Sequence, residues 1–488
     1  MNRIIWKTVV VAALFCSKAM ADTTNTIVTL GDTTEMTLSA IIGKGLPVLC
    51  LETIDREEPT CDYVSAPAGS WGASIANATK VPGRLLVYKL TDGKDSVMYD
   101  SGDYEKDVSG MTIKMRGNTS AYDAKKPYKI KLQKKFDLLF GGDNAYKDKE
   151  WLLLRDDYLT TLAGFKISQL VGMTWTPRHH FVNVVMNGSY RGVYLLCESV
   201  KRNTDCRLNV DKTGFIFELD PYWWNEDVYV NSSKSPSYNY TFKYPDSDDI
   251  TEEQLAYMQS LVSTYEPSLK KKYYPDLIDV RSFAAWCLVH DIAGTKDGGG
   301  CNLYYMKYDT TAESKIIMPL AWDFDMSERT ASAWSRSHIE HMTTLFNNSN
   351  RTFVGEFAAL WRQIRGTLVD DFTSYMLDFR NSEQGFALRL SHELDKLVYG
   401  RNLSVVSYTI ARNSWMMDRV PWLDQAITAL NPLGDVNVDG HVDITDVTLL
   451  IGAMIAEETQ GMYAADVNED GNVNITDVTL LITQVLNQ

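Results

Sequence analysis

Along residues 23–110, short apolar runs alternate with turn residues: IVTL, LPVLCLE, RLLVYKL and SVMYDSG. Apolar runs of this length between turn signals predict β-structure. The next stretch, MTIKMRGNTSAYDAKKPYKIKL, reads as two strands around a polar loop. In the second strand Lys129 and Lys131 share one face, while Ile130 and Leu132 point inward. Residues 149–172, KEWLLLRDDYLTTLAGFKISQLVG, predict mostly helix with a glycine stop. FVNVVMNGSYRGVYLLCE predicts a hairpin, because Asn187-Gly188 supplies the positive-φ pair of a tight turn. GFIFELD is a further strand. Apolar spacing turns helical over residues 251–273 and 280–289, and IIMPLAWDFD reads as a buried strand running into carboxylates. Residues 353–430 are mainly helical, with Trp361, Trp415 and Trp422 at core spacing. Strands first and helices later make an α+β body.

Asn431-Pro432-Leu433-Gly434 marks a boundary, and beyond it the chain repeats itself. GDVNVDGHVDITDVTLLI returns thirty-one residues later as ADVNEDGNVNITDVTLLI. Loop positions 1, 3, 5, 9 and 12 carry Asp435, Asn437, Asp439, Asp443 and Asp446 in one copy. The other has Asp466, Asn468, Asp470, Asn474 and Asp477. Gly440 and Gly471 stand where such a loop turns sharply, and His441 and Asn472 follow as backbone-carbonyl ligands. An all-oxygen shell of this spacing suits calcium, one ion per loop. After each loop comes a short helix; Val447, Leu450, Ile451 and Met454 form its packing stripe in the first copy. The paired loop-helix, with Asp rather than Glu at position 12, resembles a type I dockerin over residues 434–488. That resemblance implies two calcium ions, a small all-α module, and docking onto a cohesin-type scaffold protein. Dockerins usually carry a small polar pair just before position 12, where this chain has Ile444-Thr445 and Ile475-Thr476.

Composition narrows the partners. With 63 Asp+Glu against 48 Lys+Arg, the net charge of -15 argues against nucleic acid. The first twenty-one residues combine Arg3 and Lys7, an apolar run at 9–15 and Ala19-Met20-Ala21. This is the pattern of a secretory signal peptide cut after Ala21, leaving no integral membrane segment. The mature chain then has six cysteines, and an even count in an exported protein favours disulfides. Proximity in sequence suggests Cys50–Cys61, Cys197–Cys206 and Cys287–Cys301.

The candidate chemistry centres on KDGGGCN, residues 296–302, where Asp297 and Asn302 flank a glycine run. PLAWDFD follows, with Asp323 and Asp325 at a strand end. Phosphoryl transfer uses such parts: a carboxylate to take the acceptor's proton, Asn and Asp on a metal, and a cation on the phosphates. Arg116, Lys125, Lys126, Lys129 and Lys131 supply cations, and Glu198 is placed to pair with one of them. By themselves Lys125, Lys126 and Lys131 read as a solvated face, and His290 as a core histidine.

The ordered set RGNTS…KKPYKIKL, NGSYRGVYLLCE, D-x4-N and WDFD resembles the CotH (spore-coat protein H) kinase family over most of residues 110–330. The resemblance implies an atypical, secreted protein-kinase fold, spanning residues 111–430 behind a β-rich region at 22–110. It implies transfer of phosphate from ATP, with Mg or Mn, to Ser or Thr of a secreted protein. Carried over, Asp297 is the catalytic Asp, Asn302 its metal-binding partner and Asp323 a metal ligand, with Asp325 beside it. Lys129 would hold the phosphates with Arg116, and Glu198 would orient Lys129. The Gly-rich, Cys-containing spacer between Asp297 and Asn302 departs from the family's pattern. Two other classes compete. One is a catalytically silent binding protein on the same fold. The other is a dockerin-tethered carbohydrate-active enzyme, with Glu198 and Glu218 as its acid/base pair.

Overall fold

A computed structural model describes residues 22–70, 72–140, 145–295, 302–324, 330–335, 340–460 and 462–487. Residues 1–21, Asp297, Cys301 and Asp325 lie outside the described residues.

The N-terminal half is built from β1 (Ile27–Leu30), β2 (Thr34–Thr37), a short helix α1 (Leu38–Ile42), β3 (Val48–Thr53) and a side hairpin, β4 (Asp62–Ser65) with β5 (Ala73–Ala76). It continues through β6 (Val81–Thr91), β7 (Lys94–Asp100), β8 (Met111–Met115), β9 (Tyr128–Phe136) and β10 (Asp148–Leu154). Helix α2 (Thr160–Val171) is followed by the hairpin β11 (His179–Met186) and β12 (Ser189–Glu198). Asn187 and Gly188 turn that hairpin at φ 52° and 77°, as the Asn-Gly pair predicted.

The strand pairings close on themselves. β3 pairs with β6, β6 with β8, β8 with β9, β9 with β10, β10 with β12, β12 with β11, and β11 in parallel with β3. Alternate residues of every strand fill the ring: Leu49, Leu85, Ile113, Ile130, Trp151, Val184 and Leu196 are all fully buried there. The ring is therefore a packed small barrel rather than a pore. Strands β3 and β6, from the stretch before residue 111, belong to this same ring.

β10 corrects the helical expectation for residues 149–154. The run EWLLL satisfies a buried strand as well as a helix turn, and pairing with both β9 and β12 decides for the strand. Only the later part, from Thr160, is helical. Asp156 stops the strand and starts the helix: its carboxylate accepts the Thr161 and Leu162 N–H groups at 3.0 and 2.9 Å.

The second half packs helices on a smaller sheet, ordered β14 (Tyr229–Asn231), β15 (Asn239–Tyr244), β13 (Phe215–Asp220), β16 (Leu303–Lys307) and β17 (Ile316–Ile317). Its helices are α3 (Glu252–Ser268), α4 (Val280–Ala293), α5 (Glu340–Phe346), α6 (Thr352–Asn381), α7 (Glu383–Tyr399) and α8 (Val405–Leu430). They share one core with α2 and the outer face of β12. Trp361 is buried in that core, and Trp415 donates Nε1–H to the Ile292 carbonyl at 2.9 Å. The C-terminal module holds α9 (Ile444–Ile455) and α10 (Ile475–Leu486) around a small core of Val436, Val447, Leu450, Val478 and Leu481. Among the described residues no helix is long and apolar enough to cross a membrane.

The disulfide expectation is corrected. Cys50, Cys61, Cys197 and Cys206 are free thiols. Strand alternation sends Cys50 into a cluster with Val48, Tyr88 and α1, whereas Cys61 lies 3.9 Å from the Met115 sulfur. Cys197 is buried on the helix-facing side of β12. The pair expected for Cys287 involves Cys301, outside the described residues.

Candidate functional site

Between the barrel and the second sheet lies a cleft of about 450 Å³. Its barrel wall is the β8–β9 connection, with Arg116, Gly117, Asn118, Thr119 and Ser120, together with Arg155 after β10. Its other wall carries Glu218, Tyr222, Asn302 and Asp323. Asn302 Nδ2 donates to Asp323 Oδ2 at 2.8 Å. Both residues adopt φ 66°, a conformation in which Asn and Asp are enriched among non-glycine residues. Strain of this kind gathers at functional sites.

Local packing explains how Asp323 reaches the cleft. Trp322 and Phe324 on either side are buried, with Phe324 edge-on to Phe165 and stacked on His290 at 5.6 Å. Gly164 of α2 admits that ring: a Cβ there would stand 2.1 Å from the Phe324 Cγ. With both neighbours pinned inward, Asp323 turns to the cleft. His290 is a core histidine, as expected: it is fully buried, and burial pushes it down to about 3.

Glu218 and Asp220 follow each other on one face of β13. Glu218 pairs with Lys243 at 2.9 Å. Asp220 accepts the Tyr222 N–H and the Thr241 hydroxyl, and burial, reinforced by the charge of Glu218, pushes it up to about 7.

The cations are arranged differently from the sequence expectation. Lys125 is not on a solvated face: it is 1% exposed and bonds Asp157 at 2.9 Å and Asp395 at 2.8 Å at the edge of the cleft. Lys129 does not meet Glu198. Strand β10 lies between β9 and β12, so Lys129 pairs with Glu150 at 2.7 Å. Glu198 lies opposite Trp151, on the other face, where Arg178 grips it at 3.0 and 3.1 Å. Glu198 also stands outside the cleft that Glu218 lines, so the two carboxylates do not form an acid/base pair across it. Arg116 lines the cleft and has no ion-pair partner among the described residues.

Glu150 gathers Lys129, Lys131 and Lys201. Burial alone would raise its pKa; the three lysines outweigh that and hold it down at about 2. A depressed carboxyl contributes stability that is present above its ordinary value and lost as pH falls. We therefore expect urea unfolding of the wild-type protein to lose stability from about pH 4.5 toward 2, and Glu150→Gln to flatten that limb. An unchanged limb would contradict the lysine cluster.

The residues present fit a divalent cation in the cleft. Asn302 turns its amide nitrogen to Asp323 and keeps Oδ1 as a hard oxygen donor. Among the described residues no three His, Cys, Asp or Glu side chains gather as one metal group. Two protein oxygens suit magnesium, which completes its shell with water and phosphate.

The two C-terminal loops share the hydrogen bonds of their position 1 and position 12 carboxylates. Asp435 accepts the Asp439 and Gly440 N–H groups, both at 3.0 Å, and Asp466 does the same for Asp470 and Gly471 at 3.1 and 2.9 Å. Asp446 and Asp477, both fully buried, each bind a residue of the loop entry and cap the following helix. Gly440 and Gly471 take φ 94° and 86° at the sharp turn. Half-buried Asn437 and exposed Asp439, Asn468 and Asp470 are oxygen donors around each turn, with Asp443 and Asn474 at the helix caps. His441 and Asn472 follow the glycines, each donating its N–H to the preceding Asp at 2.9 Å. This donor set fits calcium.

A polar cleft with an Asn–Asp pair facing an arginine, carried beside a duplicated acidic-loop module, defines a two-part protein. A family model described as CotH kinase protein matches residues 113–373. One described as Dockerin type I domain matches residues 433–486. The first spans more than half of the chain, which therefore belongs to the CotH kinase protein family and carries a type I dockerin domain. No curated protein matches the chain.

Proposed function

We propose that this protein is an exported phosphotransferase of atypical kinase fold, which moves the γ-phosphate of ATP to Ser or Thr of a secreted protein. The observation that carries the reading is the Asn302–Asp323 pair, which faces Arg116 across the cleft. A divalent cation held by that pair would neutralise charge on the transferred phosphoryl group. Arg116, which makes no ion pair among the described residues, binds phosphate oxygens. The 116–120 connection covers them, with Gly117 at φ 87° allowing close backbone approach. Asp297, five positions before Asn302 in the chain, takes the acceptor hydroxyl's proton. The dockerin, with two calcium ions, tethers the enzyme to a cohesin-bearing partner. The charged, apolar and small-residue order of residues 1–21 supports export and cleavage after Ala21.

The test is incubation of the mature chain with γ-labelled ATP and magnesium or manganese, alone and with secreted Ser/Thr-containing proteins. Acid-stable label on Ser or Thr is the expected result. No label, together with no thermal stabilisation by ATP and metal, would replace this reading with a silent binding protein on the same fold.

A further inference from the structure

The two calcium loops are near copies, yet they meet the body differently. Position 4 of each loop, Val438 and Glu469, sits at φ 58° and 57°. A β-branched residue in the left-handed region is an outlier that its surroundings must hold. Val438 is held by α6: a Cβ on Gly355 would stand 3.1 Å from Val438 Cγ2. Glycine weakens a helix interior relative to alanine, and here its missing side chain is what lets the loop approach. Arg351, at the start of the same helix, donates Nε–H to the Val438 carbonyl at 2.9 Å. Glu469 forms an ion pair with Arg365, one face further along α6.

Asn431 adds a contact that, among the described residues, only the first loop has. It is 1% exposed, and its Nδ2 donates to the carbonyl and carboxylate of Asp435, both at 3.1 Å. Its Oδ1 accepts from Arg362 of α6 at 2.8 Å. One side chain thus joins the body to the position 1 oxygen donor of the first loop. Thirty-one residues later the equivalent residue is Met462, which carries no such donor or acceptor.

We propose that α6 is a built-in seat for the calcium module. The first loop binds the body and its ion as one unit through Asn431 and Val438. The cleft is then carried at a set orientation to whatever the module holds. The proposal rests on the calcium reading of the loops.

Hydrogen exchange of the full chain, in calcium and in chelator, tests the seat over residues 352–381, while titration calorimetry counts the ions bound. We expect two ions, and slowing of exchange near Gly355 and Arg362 by about tenfold or more, the range of ordinary site-to-site coupling. Gly355→Leu suits a helix but not the seat and touches no loop oxygen. It should keep two ions, weaken the first, and erase the calcium response of α6. Asn431→Met, which copies the second loop, should do the same even if the larger residue at 355 disturbs the body. Two ions bound with no change in α6 exchange, or a full response in Asn431→Met, would overturn the seat. No calcium heat at all would overturn it together with the calcium reading, and calorimetry separates the two failures.

Discussion

Asp323→Asn is expected to abolish phosphoryl transfer without disturbing the fold. Asparagine tolerates the φ of 66° that Asp323 adopts, and its side-chain oxygen can still accept from Asn302. Trp322 and Phe324 remain buried on either side and hold the backbone. What is lost is one negative charge at the Asn302–Asp323 side of the cleft. Removing a single preorganised electrostatic group typically costs about 10²–10³ in rate, and a metal-binding carboxylate belongs at the upper end. The initial rate of label transfer from ATP should therefore fall by at least ~10³-fold. The melting temperature without metal should stay unchanged. A variant within a few-fold of wild type at saturating metal would remove Asp323 from the proposed site.

Lys125→Met is expected to be the most destabilising single change near the cleft. The ammonium bonds Asp157 and Asp395, and the three side chains are only 1%, 3% and 2% exposed. Arg401 reaches the other Asp157 oxygen at 2.6 Å, and Asp395 also accepts the Val193 N–H at 2.7 Å. Burial would raise Asp157, but Lys125 and then Arg401 hold it below the usual carboxylate range. Asp395 is instead pushed up, because burial outweighs Lys125. Methionine leaves the buried Asp395 carboxylate without its cation, while Asp157 keeps Arg401, and breaking a buried pair in this way costs ~3–5 kcal/mol. Calorimetry should show a melting temperature lower by roughly 5 °C or more at neutral pH. The deficit should narrow as pH falls, since the Asp395 carboxylate left without its cation protonates in the folded state and sheds its charge. Adding Asp395→Asn should recover part of the loss. A Lys125→Met protein as stable as wild type at neutral pH would mean that the cluster does not hold the barrel to α7.

Much of this was legible along the chain, for reasons that particular residues make plain. Asn187-Gly188 specifies its turn through two positive-φ positions, so the hairpin is legible from two adjacent residues. The two acidic loops are equally local. Oxygen donors at fixed offsets, with glycine at the turn, reproduce the same hydrogen bonds twice. Ile130 and Leu132 point into the barrel and Lys129 and Lys131 out of it, as period-two alternation requires.

Other readings failed where contact partners lie far apart. Lys125 resembles any lysine of a polar loop, and nothing nearby announces that Asp395, 270 residues on, will meet it in the core. EWLLL fits helix and strand alike, and only β9 and β12 on either side settle it. That strand then separates Lys129 from Glu198, so one local misreading displaced an ion pair. The expected disulfides assumed that neighbours in sequence are neighbours in space, which strand alternation denies to Cys50 and Cys61.

By itself, the chain's order of residues determined the α+β body, the calcium-type loops and the identity of Asn302 and Asp323 as candidates. Each of these rests on interactions within a few residues. Closure of the barrel, burial of Lys125, the turning of Asp323 into the cleft and the seating of the first loop on α6 were decided by the tertiary structure. They depend on which surfaces meet after long loops close. Residue identity then matters through a distant partner, such as Gly164 under Phe324 or Gly355 under Val438.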